Sequence, residues 1–115
     1  TVEQQVLEAA RRATVTVGQG TGPVYGSCVH SAFAAEVKAL GTPNLRAEIS
    51  YLNREVVPWG TPGSVRLDVV AGPIACPTVI YDLKTGCATL TPARVQEIWY
   101  HVSGGSSVPI VVVRP

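Results

Sequence analysis

Residues 64–84 hold two apolar runs on either side of a short turn-rich segment. They read Ser64-Val65-Arg66-Leu67-Asp68-Val69-Val70-Ala71-Gly72-Pro73-Ile74-Ala75-Cys76-Pro77-Thr78-Val79-Ile80-Tyr81-Asp82-Leu83-Lys84. Successive side chains in a strand point to opposite sides. A strand over 64–70 therefore gathers Val65, Leu67 and Val69 on one face, and a strand over 78–84 gathers Val79, Tyr81 and Leu83. Those six predict one apolar layer. The turn residues from Gly72-Pro73 to Pro77 connect the two strands. The opposite face carries Ser64, Arg66 and Asp68 from the first strand, and Asp82 and Lys84 from the second.

Pairing the strands about the midpoint near Ala75 sets Asp68 opposite Asp82 and Arg66 opposite Lys84. Like charges directly opposite one another destabilise a sheet, so structure alone gives no reason for this arrangement. A divalent cation between the carboxylates supplies one. Mg2+ (or Mn2+) takes oxygen ligands, typically one or two carboxylates with substrate phosphate and water. Lys84, on the same face, is then expected to orient or deprotonate an attacking water, or to neutralise charge on phosphate. Arg66 either holds phosphate or balances the aspartates, and Ser64 is a second candidate phosphate contact. Together these groups suit phosphodiester hydrolysis.

Working outward, residues 2–13 have helical spacing and 18–23 form a glycine-rich loop. Residues 27–40 predict a second helix, capped by Ser27, with Val29, Phe33, Val37 and Leu40 as its apolar stripe and Gly41 and Pro43 as its stop. Glu36 interrupts that stripe. An inward glutamate is unusual unless paired or metal-bound, which makes it the expected third carboxylate if the helix crosses the polar face of the sheet. Residues 46–52 alternate as a strand, with Ala47, Ile49 and Tyr51 on one side. Glu48, on the other side, reads as an exposed strand residue. After a turn-rich stretch with Pro58, Gly60, Pro62 and Gly63, Thr91-Pro92 opens a helix with Val95, Ile98, Trp99 and Val102 on one face. Gly104-Gly105 ends it, and 108–113 reads as a strand buried on both faces. Helix, helix, three strands, helix and strand predict an α/β fold whose four-stranded sheet is mixed: a meander, then a crossover to a parallel strand.

The length of 115 residues fits one domain. With 46% hydrophobic and 15% charged residues, the chain is too apolar for a disordered tail. No run approaches the roughly 20 apolar residues that span a bilayer. The net charge of +1 is not the strongly basic footprint of many nucleic-acid binders; a local positive rim around carboxylates is what a near-neutral total allows. The chain contains no methionine, even at position 1, which predicts the C-terminal module of a longer polypeptide. Cys28, Cys76 and Cys87 are odd in number and lack the Cys-x-x-Cys spacing of zinc sites, so they read as buried or half-buried thiols. About 20 Å of extended strand between Cys76 and Cys87 would forbid a disulfide joining them. His30 and His101, on separate helices without a partner motif, read as surface or packing residues.

The order of helix with Glu36, strand, strand with Asp68, strand with Asp82-Leu83-Lys84, helix and strand resembles the restriction-endonuclease-like PD-(D/E)xK superfamily over about residues 27–113, with residues 1–26 as an added N-terminal helix and loop. The stretches Ser64-Val65-Arg66-Leu67-Asp68, Tyr81-Asp82-Leu83-Lys84-Thr85-Gly86 and Leu90-Thr91 also look like C-terminal toxin domains of bacterial polymorphic toxins. The resemblance implies an αβββαβ core. It also implies metal ligands at Asp68 and Asp82, a catalytic Lys84, a helical acid at Glu36, and Mg2+ or Mn2+ as cofactor. It implies DNA, or RNA, as substrate. It further implies delivery from a producing bacterium into the cytoplasm of a target cell, and a cognate immunity protein as partner. Leu67 stands where the family name has proline, and the acid of the third strand is aspartate. The alternatives are a ribonuclease built on the same chemistry, and a non-catalytic interaction domain whose polar face meets a partner instead of a metal.

Overall fold

Apolar residues at three- and four-residue steps wind the first part of the chain into helices. Val6, Ala9, Ala10 and Ala13 are fully buried along α1 (Val2–Val17). Val29, Phe33, Ala34 and Val37 are buried along α2 (Gly22–Leu40), and Gly41 ends that helix in the left-handed conformation at φ 64°. The computed structural model describes residues 1–115. The strands are β1 (Leu45–Leu52), β2 (Glu55–Val57), β3 (Val65–Ala71), β4 (Val79–Leu83) and β5 (Ile110–Val113), with α3 (Pro92–Ser103) between β4 and β5. No helix is long and apolar enough to cross a membrane.

The chain is α/β, and its sheet is mixed with the order β2-β1-β3-β4-β5. The first four strands meet their neighbours antiparallel, and β4 meets β5 in parallel after the α3 crossover. The sheet has five strands rather than the expected four. The added strand, β2, pairs with β1 through a tight turn at Asn53 and Arg54, both at positive φ (50° and 68°). Two such residues are the signature of a type I′ hairpin. Arg54 stands where glycine is usual, which hides the turn in the sequence.

Helices cover both faces of the sheet. On one side α1 and α2 bury Ala47, Val69, Tyr81, Leu83 and Val113. On the other, Ile98 and Val102 of α3 bury Tyr51, Val65, Leu67, Val70 and Ile80. Each large aliphatic side chain so buried contributes roughly 1.5–3 kcal/mol of transfer free energy. The N-terminal helix is thus part of the main core rather than an appendage. The second helix starts at Gly22 instead of Ser27, so Ser27 lies inside it and does not cap it.

The single apolar layer expected from Val65, Leu67, Val69, Val79, Tyr81 and Leu83 is divided. Val65 and Leu67 face α3, while Val69, Tyr81 and Leu83 face α1 and α2. Ala47 is likewise separated from Ile49 and Tyr51. The cause lies at Glu48, whose φ of 55° is a left-handed conformation inside a strand and reverses the alternation of side chains. Pairs are formed at Ala47↔Val69 and Ile49↔Leu67; Glu48 and Asp68 stand between them, where both strands change face.

Candidate active site

The β3–β4 ladder runs through Ala71↔Val79, Val70↔Ile80 and Val69↔Tyr81, then stops. This is the register expected from pairing about Ala75, and one further step brings Asp68 and Asp82 together. Beyond that point β4 stays with β5 through Asp82↔Val112 and Leu83↔Val113. The N–H of Leu83 donates to Asp68 Oδ2 at 2.7 Å, so a carboxylate replaces the next backbone acceptor. The strands part there and a cleft opens, roofed by the first half of α2.

The cleft has a volume of about 580 Å³. Asp68, Asp82, Lys84, Glu48 and Arg66 line it from the sheet. Ser27, His30, Ser31 and Phe33 line it from α2, and Arg94 from the first turn of α3. Lys84 Nζ lies 3.3 Å from Asp82 Oδ2. That oxygen is buried and receives no hydrogen bond, so the ammonium supplies charge without an aligned donor. Burial and the neighbouring Asp68 carboxylate raise the Asp82 pKa, against the opposing pull of Lys84.

His30 is the largest departure from expectation. Its Nδ1 faces Gly26 O at 2.8 Å and its Nε2 faces Leu83 O at 3.0 Å, with Asp68 Oδ2 at 3.5 Å. Two carbonyl oxygens accept from the two ring nitrogens, and only the doubly protonated ring donates to both. The Asp68 carboxylate is the main cause of a pKa raised to about 9. His30 is therefore a cation of the cleft, not a packing residue. His101 does behave as a packing residue: its Nδ1 accepts the N–H of Asn53 and its carbonyl that of Arg54, which pins the β1–β2 turn to α3.

Glu36 does not join the aspartates. It pairs with Arg12 of α1 at 3.2 Å and is absent from the cleft lining, because that part of α2 faces α1. The carboxylate that does line the cleft with Asp68 and Asp82 is Glu48. It is exposed, as expected, but turned into the cleft. Arg66 lines the cleft and lies over the Trp59 ring at 5.6 Å. Ser64 is not part of the lining; its hydroxyl donates to Thr61 O at 2.6 Å and closes the turn before β3.

His30, Glu48, Arg94, Ser27 and Ser31 are polar cleft residues beyond those expected from the sequence. A signal existed for three of them: Ser27, His30 and Ser31 recur at i, i+3 and i+4 and form a polar stripe on an otherwise apolar helix. The three cysteines are free and exposed rather than buried. β4 lies extended between Cys76 and Cys87.

No group of three or more His, Cys, Asp or Glu is arranged as a ready-made metal cage, so the expected set of Asp68, Asp82 and Glu36 does not form. The two juxtaposed aspartates still fit a hard divalent cation. Asp82 Oδ2 is buried without a hydrogen bond, beside the Lys84 ammonium, and Mg2+ ordinarily uses one or two carboxylates and leaves its other positions to phosphate and water. Glu48 is the further carboxylate in the cleft lining. Compared with family models, curated proteins and solved structures, the chain matches none.

Proposed function

We propose that this cleft hydrolyses phosphodiester bonds in nucleic acid, DNA foremost, with a divalent cation held by Asp68 and Asp82. The observation that carries the reading is the pair of aspartates at the point where β3 and β4 part, with Lys84 Nζ 3.3 Å from Asp82. Bound there, Mg2+ or Mn2+ supplies Lewis-acid polarisation of the scissile phosphate. Lys84 holds the attacking water or neutralises charge developing on phosphate. His30, Arg66 and Arg94 attract the polyanion. His30 also fixes Asp68 through the Leu83 peptide. Support for a restriction-endonuclease-like core comes from the succession α2, β1, β3, β4, α3, β5 with Asp68 and Asp82-Leu83-Lys84 on adjacent strands. The resemblance to polymorphic toxin domains extends the proposal to an antibacterial effector, delivered into a target cell and neutralised by an immunity protein.

A metal-independent ribonuclease is the second reading. The charged His30 ring in the cleft lining favours it, as a cation that opposes negative charge developing on phosphate without a metal. Incubating the purified chain with plasmid DNA and with total RNA, in magnesium and in chelator, separates the two. Cleavage only with magnesium supports the first reading, and RNA cleavage that survives chelator supports the second. Intact substrates under all conditions refute both.

A further inference from the structure

We infer that Trp59 is a stacking platform for an unpaired nucleobase of the strand whose phosphate occupies the cleft. The inference rests on the phosphodiesterase reading and adds a substrate class to it: single-stranded, or locally unpaired, nucleic acid.

Trp59 is 70% exposed, although indole is among the most costly side chains to leave in water. It is not left there by looseness of the chain. The surrounding turn is fastened by Thr61 N–H and Oγ1–H donating to Pro58 O, and by Ser64 N–H and Oγ–H donating to Thr61 O. Pro58 and Pro62 stiffen it further. The other tryptophan has a structural role, with its Nε1–H donating to Val108 O at 2.9 Å beside the α3 core.

The ring has one occupied face. Arg66 lies over it, 5.6 Å from guanidinium carbon to ring centroid, and Arg66 is itself a wall of the cleft holding Asp68, Asp82 and Lys84. The ring and the reacting centre are thus joined by one cationic side chain. The exposure of Trp59 leaves its second face free. A strand whose phosphate lies against Arg66 in the cleft continues past Trp59, where an unpaired base of a flanking nucleotide can turn onto the free face. Bases inside a duplex have both faces covered by neighbours, so only an unpaired or terminal base can stack. Stacking on an aromatic side chain tolerates every base and is compatible with substrates of many sequences.

Tryptophan fluorescence tests this in chelator, where the phosphodiesterase reading predicts binding without cleavage. A single-stranded 12-nucleotide deoxyoligonucleotide (length chosen to match a site of about 4–16 nucleotides) should quench the emission of the wild-type chain. The quenching should vanish in Trp59→Phe, which retains only Trp99, and the same strand annealed to its complement should quench weakly. Trp59→Ala should weaken binding of the single strand by roughly 5- to 150-fold, measured by fluorescence anisotropy of a labelled strand. Unchanged affinity in Trp59→Ala, quenching that persists in Trp59→Phe, or equal quenching by duplex overturns the inference. Cleavage by the wild type with full activity in Trp59→Ala overturns the platform but leaves hydrolysis standing. Quenching and Trp59-dependent binding without cleavage in magnesium retain the platform and remove the hydrolysis.

Discussion

Asp68 Oδ2 accepts the N–H of Leu83 at 2.7 Å, while the carbonyl of the same Leu83 accepts from His30 Nε2 at 3.0 Å. One residue of β4 thereby ties a carboxylate of β3 to a cation of α2, at the place where the two strands separate. Asp82, one position away, has no such support, and its buried Oδ2 lacks a hydrogen bond.

The two aspartates should therefore respond oppositely to replacement in metal-free protein. Asp82→Asn removes a buried charge whose pKa is raised by burial and by Asp68, and the melting temperature should rise. Asp68→Ala strands the Leu83 N–H, at a cost of about 1–3 kcal/mol for an unpaired buried group, and removes the counter-charge beside His30. Thermal melts in chelator measure both. A destabilised Asp82→Asn, or a neutral Asp68→Ala, contradicts this account of the pair.

Stability should fall in alkali through His30. Its pKa is about 9 in the folded chain against an ordinary 6.5, so the folded chain binds the proton more tightly than the unfolded chain does. That contribution is complete below about pH 6.5 and is lost as pH rises through about 9. His30→Gln should flatten this limb of a plot of melting temperature against pH. An equally steep limb in the variant contradicts it.

Divalent metal should stabilise the fold. A ligand that binds only the native state adds about 2.7 kcal/mol at a hundredfold excess over its Kd. Magnesium or manganese should raise the melting temperature of the wild type and leave Asp82→Asn unmoved. Glu36→Gln should keep the full metal shift, because Glu36 faces Arg12, and should cost no more than the ~0–1 kcal/mol typical of a surface ion pair. Glu48→Gln should reduce the shift. Reversed roles for Glu36 and Glu48 in the same thermal scans contradict the cleft as drawn.

Phe33 couples core and cleft: it is buried against α1 and the sheet, and it also lines the cleft. Phe33→Ala should destabilise by about 3–5 kcal/mol in chemical denaturation. A loss under about 0.5 kcal/mol, the range typical of surface positions, contradicts its place in the core.

Much of this arrangement was legible in the residues. Strand alternation and the single connection around Ala75 set the β3–β4 register, and with it the meeting of Asp68 and Asp82. Thr91-Pro92 marked the start of α3 because capping and a fixed φ act locally. What escaped was non-local or conformational. Glu48 takes a left-handed conformation that nothing in its side chain demands, and the resulting change of face redistributes Val65, Leu67 and Val69 between two cores. Helix spacing points Glu36 inward, but spacing does not say which neighbour a face meets; α1 lies there, with Arg12. His30 lacked a motif because its partners are carbonyl oxygens of Gly26 and Leu83, which no side-chain pattern reveals.

Asp68, Asp82 and Lys84 are proposed to form a metal-dependent phosphodiesterase centre. The most direct measurement is cleavage of plasmid DNA and of total RNA in magnesium by wild type, Asp82→Asn and Lys84→Ala, each checked for folding by circular dichroism. The wild type should cleave in magnesium and stop in chelator, and each folded variant should lose at least about a hundredfold, the scale of a lost charge-stabilising group. Near-wild-type cleavage by folded Asp82→Asn would contradict the proposal.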